Sequence, residues 1–311
     1  MRRREFLAGG ATAAFVNAMP GWAANLQQFD LGVITDEVTQ DFEKALLWAK
    51  GFGLEWVELR FVWSKYVIDF TPDDVKRAKE LLAKHGLKVS VVDSPYFKTL
   101  LPGTQSKFDS GKPDPLQSDF SKQTAVLERA MARAKDFGTD KVRIFSFLRV
   151  EDPKSVFDRV AKELDRTAAI AQREGIRLLL ENEFSCNVAT GVEGAAMLKA
   201  VKSPTLGLNW DPGNAYAAGE TPFPDGYEPL DKKRLWHMHL KDADPVPKGG
   251  EPKWMPIGEG KIDFLGQFRA LIKDGYKGTM SLETHYLNAA KDKEASSRES
   301  MEGLLKVIKE A

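Results

Sequence analysis

Cysteine and histidine are scarce in this chain. Its 311 residues include one cysteine, Cys186, and four histidines, so an internal disulfide framework is excluded. No motif around Cys186 supports a nucleophile, and the residue reads as a small side chain packed beside a strand end. Excess charge is missing too. Lys plus Arg and Asp plus Glu both number 45, which implies no basic surface for nucleic acid. No glycine-rich phosphate loop follows an early strand, which argues against a doubly wound open sheet. Low-complexity stretches and linkers are also absent, so nothing marks a second domain. With 42% hydrophobic and 29% charged residues, the composition is that of a soluble globular protein with a large core. One domain of about 250 residues plus extras is expected.

The chain starts with Arg3-Arg4-Glu5-Phe6-Leu7, a weakly apolar run from Ala8 to Ala18, then Pro20 and small residues up to Ala24. This order resembles a twin-arginine export signal. The apolar run is too short to stay in a bilayer as a spanning helix. Residues 1–24 are therefore expected to be removed, leaving residues 25–311 in the periplasm or outside the cell, with no membrane insertion after cleavage.

Beyond Asn25, apolar runs that suit strands alternate with stretches at helical spacing. Phe29 to Thr35 predicts a first strand, Trp56 to Arg60 a second and Leu87 to Val92 a third, with a helix from Phe42 to Phe52 stopping at Gly51 and Gly53. Thr71-Pro72-Asp73-Asp74 supplies an N-cap and an early proline for a helix that ends at His85-Gly86, leaving His85 as an exposed helix-end residue. Tyr96 to Asp119, with Pro102, Gly103, Gly111, Pro113 and Pro115, breaks the rhythm and reads as a lid or rim loop. A helix from Phe120 to Phe137, a fourth strand from Lys141 to Phe147 and a helix from Pro153 to Glu174 follow. Later helices fall at Val192 to Val201, Phe264 to Asp274 and Ala289 to Ile308. Ala215 to Lys233 is loop-like, so the sixth helix is short or displaced, and Lys248 to Gly260 reads as a long polar loop. Strands alternating with helices imply parallel pairing, and eight units of roughly 30 residues predict a single-domain (β/α)8 TIM barrel of the α/β class.

Four late strands end in acids and imidazoles: Leu178 to Glu183 (LLLENE), Leu206 to Asn214 (LGLNWDPGN), Leu235 to Asp242 (LWHMHLKD) and Thr279 to His285 (TMSLETH). Side chains alternate across a strand. Leu178 and Leu180 thus oppose Glu181 and Glu183, and Leu208 and Trp210 oppose Asn209 and Asp211. Likewise Trp236, Met238 and Leu240 oppose His237, His239 and Lys241, while Met280 and Leu282 oppose Ser281, Glu283 and His285. Polar faces gathered at the C-terminal strand ends lie where a parallel barrel builds its active site.

This order of motifs is similar to that of the xylose-isomerase-like barrels, the superfamily of sugar phosphate isomerases and epimerases, over almost the whole mature chain. The resemblance implies that Glu181, Asp211, His239 and Glu283 hold one divalent metal. It also implies that Glu181 and Glu283 are the catalytic acid-base pair. Three carboxylates and one imidazole form a hard, oxygen-rich set, which suits Mn²⁺ first, then Mg²⁺, with Co²⁺ or Zn²⁺ admissible. The implied activity is a metal-dependent isomerase or epimerase acting on a free sugar or keto-sugar, by proton abstraction next to a carbonyl through a metal-stabilised enediolate.

Two positions depart from the ketose epimerases of that group: Asn214 stands in place of a histidine, and Pro245 in place of an arginine. A lyase, hydratase or deglycosidase of 3-keto-glycosides needs the same metal and the same enolate, and is the nearest alternative. Glu58, Arg60, Glu183, Asn214, His237 and Lys241 are expected to line the substrate. For Glu183 and His237 the other role is to brace a ligand, for Lys241 to pair with Glu183, and for Glu58 and Arg60 to form salt bridges. His285 is placed on the rim, and Phe61, Trp63 and Trp254 offer apolar faces to a sugar or pack. A phosphodiesterase resembling the apurinic endonucleases would need more histidines than four and a basic footprint. A non-catalytic sugar-binding barrel is the third reading, and a homo-oligomer is compatible with the sequence.

Overall fold

The computed structural model describes residues 28–108, 119–244 and 252–311. The expected export signal, the centre of the Tyr96 to Asp119 segment, Pro245 and the start of the Lys248 to Gly260 loop lie outside the described residues. Eight parallel strands form one sheet: β1 Asp30–Val33, β2 Trp56–Leu59, β3 Lys88–Asp93, β4 Lys141–Ile144, β5 Arg177–Glu181, β6 Leu206–Trp210, β7 Leu235–Leu240 and β8 Thr279–Leu282. From β2 onward each strand pairs with the next in the chain, and β8 returns to pair with β1. The last seam, β1 against β2, is a single parallel bridge between Ile34 and Glu58. Gly32 allows that approach, because a Cβ there would stand 3.0 Å from the Trp56 carbonyl oxygen.

The strands are buried on both faces, as in parallel sheets covered by helices, so Leu178, Leu179 and Leu180 all lie in the core. Helices cover the outside with apolar stripes such as Phe42, Ala45, Leu46 and Ala49 of Phe42–Gly51. The helix Pro72–His85 starts in a reciprocal capping box between Thr71 and Asp74 and stops at Gly86 with φ 62°. His85 is half-buried rather than exposed, with Nε2 3.1 Å from Glu43. No helix among the described residues is long and apolar enough to cross a membrane.

Four further expectations are corrected. The fourth strand ends at Ile144 instead of Phe147, because the Phe145 and Leu148 amides donate to the Tyr96 and Thr99 carbonyls and Phe147 turns to φ 62°. For the same reason the described start of the Tyr96 to Asp119 segment is core and not lid: Phe97 stacks between Tyr96 and Phe147, each at 4.0 Å. The last helix begins at Lys293, after Lys291 at φ 54° and the Asp292 cap. The described part of the late polar loop is ordered, with Lys253–Met255 pairing antiparallel to Asp242–Asp244. The sixth helix is short, as expected, at Pro212–Ala217.

Candidate metal centre

Local sequence explains how Asp211 is placed. It is the N-cap of Pro212–Ala217, where Pro212 fits the first helical position and Oδ1 accepts from the Asn214 amide at 2.9 Å. That leaves Oδ2 for the barrel interior. Gly213 is required next, since a Cβ there would lie 2.5 Å from Cγ of Lys241. Asn214 closes the motif, with Nδ2 donating to Asp211 Oδ2 and to Glu181 Oε1, both at 3.0 Å.

Glu181, Asp211, His239 and Glu283 come together as the resemblance implied, with one ligand atom from each within 4.8 Å of the others. His239 is oriented from behind. Its Nε2 donates to Glu58 Oε1 at 3.0 Å, while Nδ1 stands 3.3 Å from Glu283 Oε2 and 3.4 Å from Glu181 Oε1. Nδ1 is buried without a hydrogen-bond partner. A buried imidazole nitrogen facing three carboxylates is what a divalent cation requires, and the carboxylate behind the ring fixes its tautomer. The residues present therefore fit the implied metal.

The electrostatics point the same way. Burial works against charge on His239, but Glu58, Glu181 and Glu283 raise its pKa well above that of an ordinary imidazole. Burial, with Glu283 and Glu181 nearby, pushes Asp211 up to about 7 against the pull of Lys241. Burial also opposes ionisation of Glu181, yet His239 and Arg143 hold it at about 2. Glu283 is buried too, and Lys241, His285 and His239 keep its carboxyl well below the usual range. The pocket attracts positive charge.

The expected substrate residues separate into two groups. Glu58 and His237 have no exposed surface. Glu58 Oε2 accepts from His237 Nε2 at 2.8 Å, and His237 Nδ1 meets Thr279 Oγ1 at 2.6 Å. Both are placed behind the four-residue cluster, with burial lowering the His237 pKa. Asn214, also fully buried, braces Glu181 and Asp211. Lys241 does not pair with Glu183; its Nζ lies 2.8 Å from Asp211 and 2.6 Å from Glu283. Glu183 instead accepts from Ser185 Oγ at 2.9 Å and faces Lys98 at 3.6 Å. Arg60 donates to Glu283 at 2.9 Å, and His285 on the rim reaches the same carboxylate at 3.2 Å.

Trp254 lies over the centre, 5.3 Å from Lys241 Nζ and edge-on to His285. Trp63 stacks on Phe70 and Phe61 packs on Tyr66. Cys186 is buried with its thiol pushed up to about 12. Three groups escaped the sequence reading: Asp36 and Glu37, both on Arg60, and Arg143, which joins Asp93 to Glu181 at 3.0 and 3.3 Å. The acidic pair directly after β1 was the available signal. A cavity of about 490 Å³ opens at the opposite end of the barrel beside Asp30, Trp56 and Trp236; none of the ligand cluster lines it.

The family model described as xylose isomerase-like TIM barrel matches residues 46–307. The chain belongs to that family. The candidate L-ribulose-5-phosphate 3-epimerase SgbU of Escherichia coli is 22% identical over 269 residues, covering 83% of this chain and 89% of SgbU. An uncharacterized protein of Methanocaldococcus jannaschii, MJ1311, is 27% identical over 159 residues; the match spans about half of each chain, 50% and 51%. Among solved structures, IolI with a bound zinc atom has a TM-score of 0.71 at 16% identity, covering 90% of this chain and 98% of that one. AsbF of Bacillus anthracis, described as a probable 3-DHS dehydratase, has a TM-score of 0.65 at 17% identity, with 87% and 98% covered. The D-allulose 3-epimerase of Methylomonas sp. in complex with D-allulose has 0.63 at 19%, with 89% and 96% covered. At these identities the likeness concerns the fold.

Proposed function

We propose that this protein is a metal-dependent isomerase or epimerase of a free sugar or keto-sugar, working by proton transfer at the carbon beside a carbonyl. The observation that carries the reading is the convergence of Glu181, Asp211, Glu283 and the unpartnered His239 Nδ1 at four strand ends. When bound, a divalent ion supplies positive charge that polarises the carbonyl and favours the enediolate. The protein's own groups do the rest. Glu181 and Glu283 are held ionised, the form that accepts a proton from carbon. One glutamate takes the proton from carbon and the other, protonated from solvent, returns one to the opposite face, while the Lys241 ammonium, held at 2.6 Å by Glu283, stays charged beside the developing oxyanion. Asn214, Arg143 and Arg60 keep the two carboxylates in place. The neighbours named as epimerases support this reading.

The second reading, a lyase or deglycosidase acting on a 3-keto-glycoside, is favoured by Asn214, which stands where the ketose epimerases carry a histidine and braces Glu181 and Asp211. Export through the twin-arginine start belongs to both proposals and favours an unphosphorylated substrate. Turnover of free and 3-keto sugars in deuterated water decides between them. Solvent deuterium on the carbon beside the carbonyl in an epimeric product supports the first reading, and loss of water or of an aglycone supports the second. Unlabelled product sinks proton transfer through solvent-exchanging carboxylates.

A further inference from the structure

Glu283 faces two cation positions. Its Oε2 points to Lys241 Nζ at 2.6 Å and His239 Nδ1 at 3.3 Å, the ligand side. Its Oε1 turns to Arg60 Nη1 at 2.9 Å and His285 Nε2 at 3.2 Å. At this second position Glu37, Glu283 and His285 again bring three ligand atoms within 4.8 Å of one another. A cation already sits among them. The Arg60 guanidinium donates through Nη1 to Glu283, through Nε and Nη2 to Asp36 at 3.1 and 2.9 Å, and through Nη2 to Glu37. Three buried carboxylates on one guanidinium are a donor set that would otherwise suit a divalent ion, and burial without such a partner would be costly.

We propose that Arg60 is a built-in replacement for a second metal ion. The centre is then one metal and one arginine joined by Glu283, and it becomes a two-metal site when the guanidinium is removed. This rests on the reading of Glu181, Asp211, His239 and Glu283 as ligands of the first metal. A guanidinium differs from an ion in three ways that bear on the chemistry. It cannot dissociate, it brings no activated water, and its planar donors fix the carboxylates they hold. Paired metals about 3.5–4 Å apart clamp the attacking and leaving oxygens of an in-line displacement. Replacing one of them by Arg60 withdraws that capability and leaves a centre suited to proton transfer at a single carbon.

Metal content tests this without any substrate. Full-length protein is stripped with chelator, reloaded with excess Zn²⁺ or Mn²⁺, desalted and analysed for metal per chain. Wild type and Arg60→Lys are expected to hold about one equivalent, Arg60→Gln about two, and the double variant Arg60→Gln with Glu37→Gln about one again. An Arg60→Gln count equal to that of wild type overturns the inference, as does a wild type that already holds two. A wild type holding none overturns the first-metal reading, and the inference then stands only if Arg60→Gln gains one equivalent over it. Should Arg60→Gln be unfolded without metal, recovery of its circular dichroism on adding Zn²⁺ supports the inference, and failure to recover at any metal level overturns it.

Discussion

Glu58 has both carboxylate oxygens engaged by imidazoles from one strand, His237 and His239. Its expected effect is on the metal and not on substrate contact. Glu58→Gln should weaken metal affinity about 10–100-fold with the metal count unchanged, as read by competition titration. Asp211→Ala and His239→Ala should each lose stoichiometric metal while keeping a barrel-like circular dichroism spectrum; retained metal in both removes the ligand assignment. Protons must leave these ligands for a metal to bind. Since His239 is raised well above an ordinary imidazole and Asp211 lies at about 7, loading should release protons, and more of them at pH 6 than at pH 8. Affinity therefore falls as pH falls, more steeply below 7; a pH-independent affinity contradicts this. Cys186, at about 12, should resist alkylation in the native protein at pH 8 and react after unfolding. The clustering of Glu181, Asp211, His239 and Glu283 was legible because strand alternation sorts polar from apolar positions locally. The task of Glu58 was not, since the imidazoles that engage it come from a strand 179 residues further along.

Among the elements, the arm formed by Asp242–Asp244 and Lys253–Met255 depends on one carboxylate. Asp242 accepts from the backbone amides of Ala243, Gly258, Gly260 and Ile262 at 2.9–3.2 Å. Asp242→Ala is expected to cost roughly 2–4 kcal/mol, measured by urea unfolding, and to expose the arm to limited proteolysis. Trp254, which the arm carries over Lys241, would lose its position. An arm equally resistant in the variant would show that other contacts hold it. Helix limits were largely readable where a cap is local, as in Thr71 to Gly86. They failed where distant backbone decides, as at the end of β4, whose continuation pairs with the loop after β3. Periodicity cannot register such non-local hydrogen bonds.

At the scale of the whole molecule, the proposed export signal predicts that replacing Arg3 and Arg4 with Lys traps the protein in the cytoplasm; cell fractionation showing unchanged export rejects the signal. The barrel class was readable from the alternation of strands and helices, but its manner of closure was not. Seven strand interfaces are ladders, while the eighth is the lone bridge at Ile34 and Glu58. The residue completing that bridge is the one whose side chain holds His237 and His239. An ion that fixed His239 would therefore also steady Glu58 and the seam it completes. Hydrogen exchange should record this: amides flanking Ile34 and Glu58 slow when metal is loaded, while those inside the β5–β6 ladder change little.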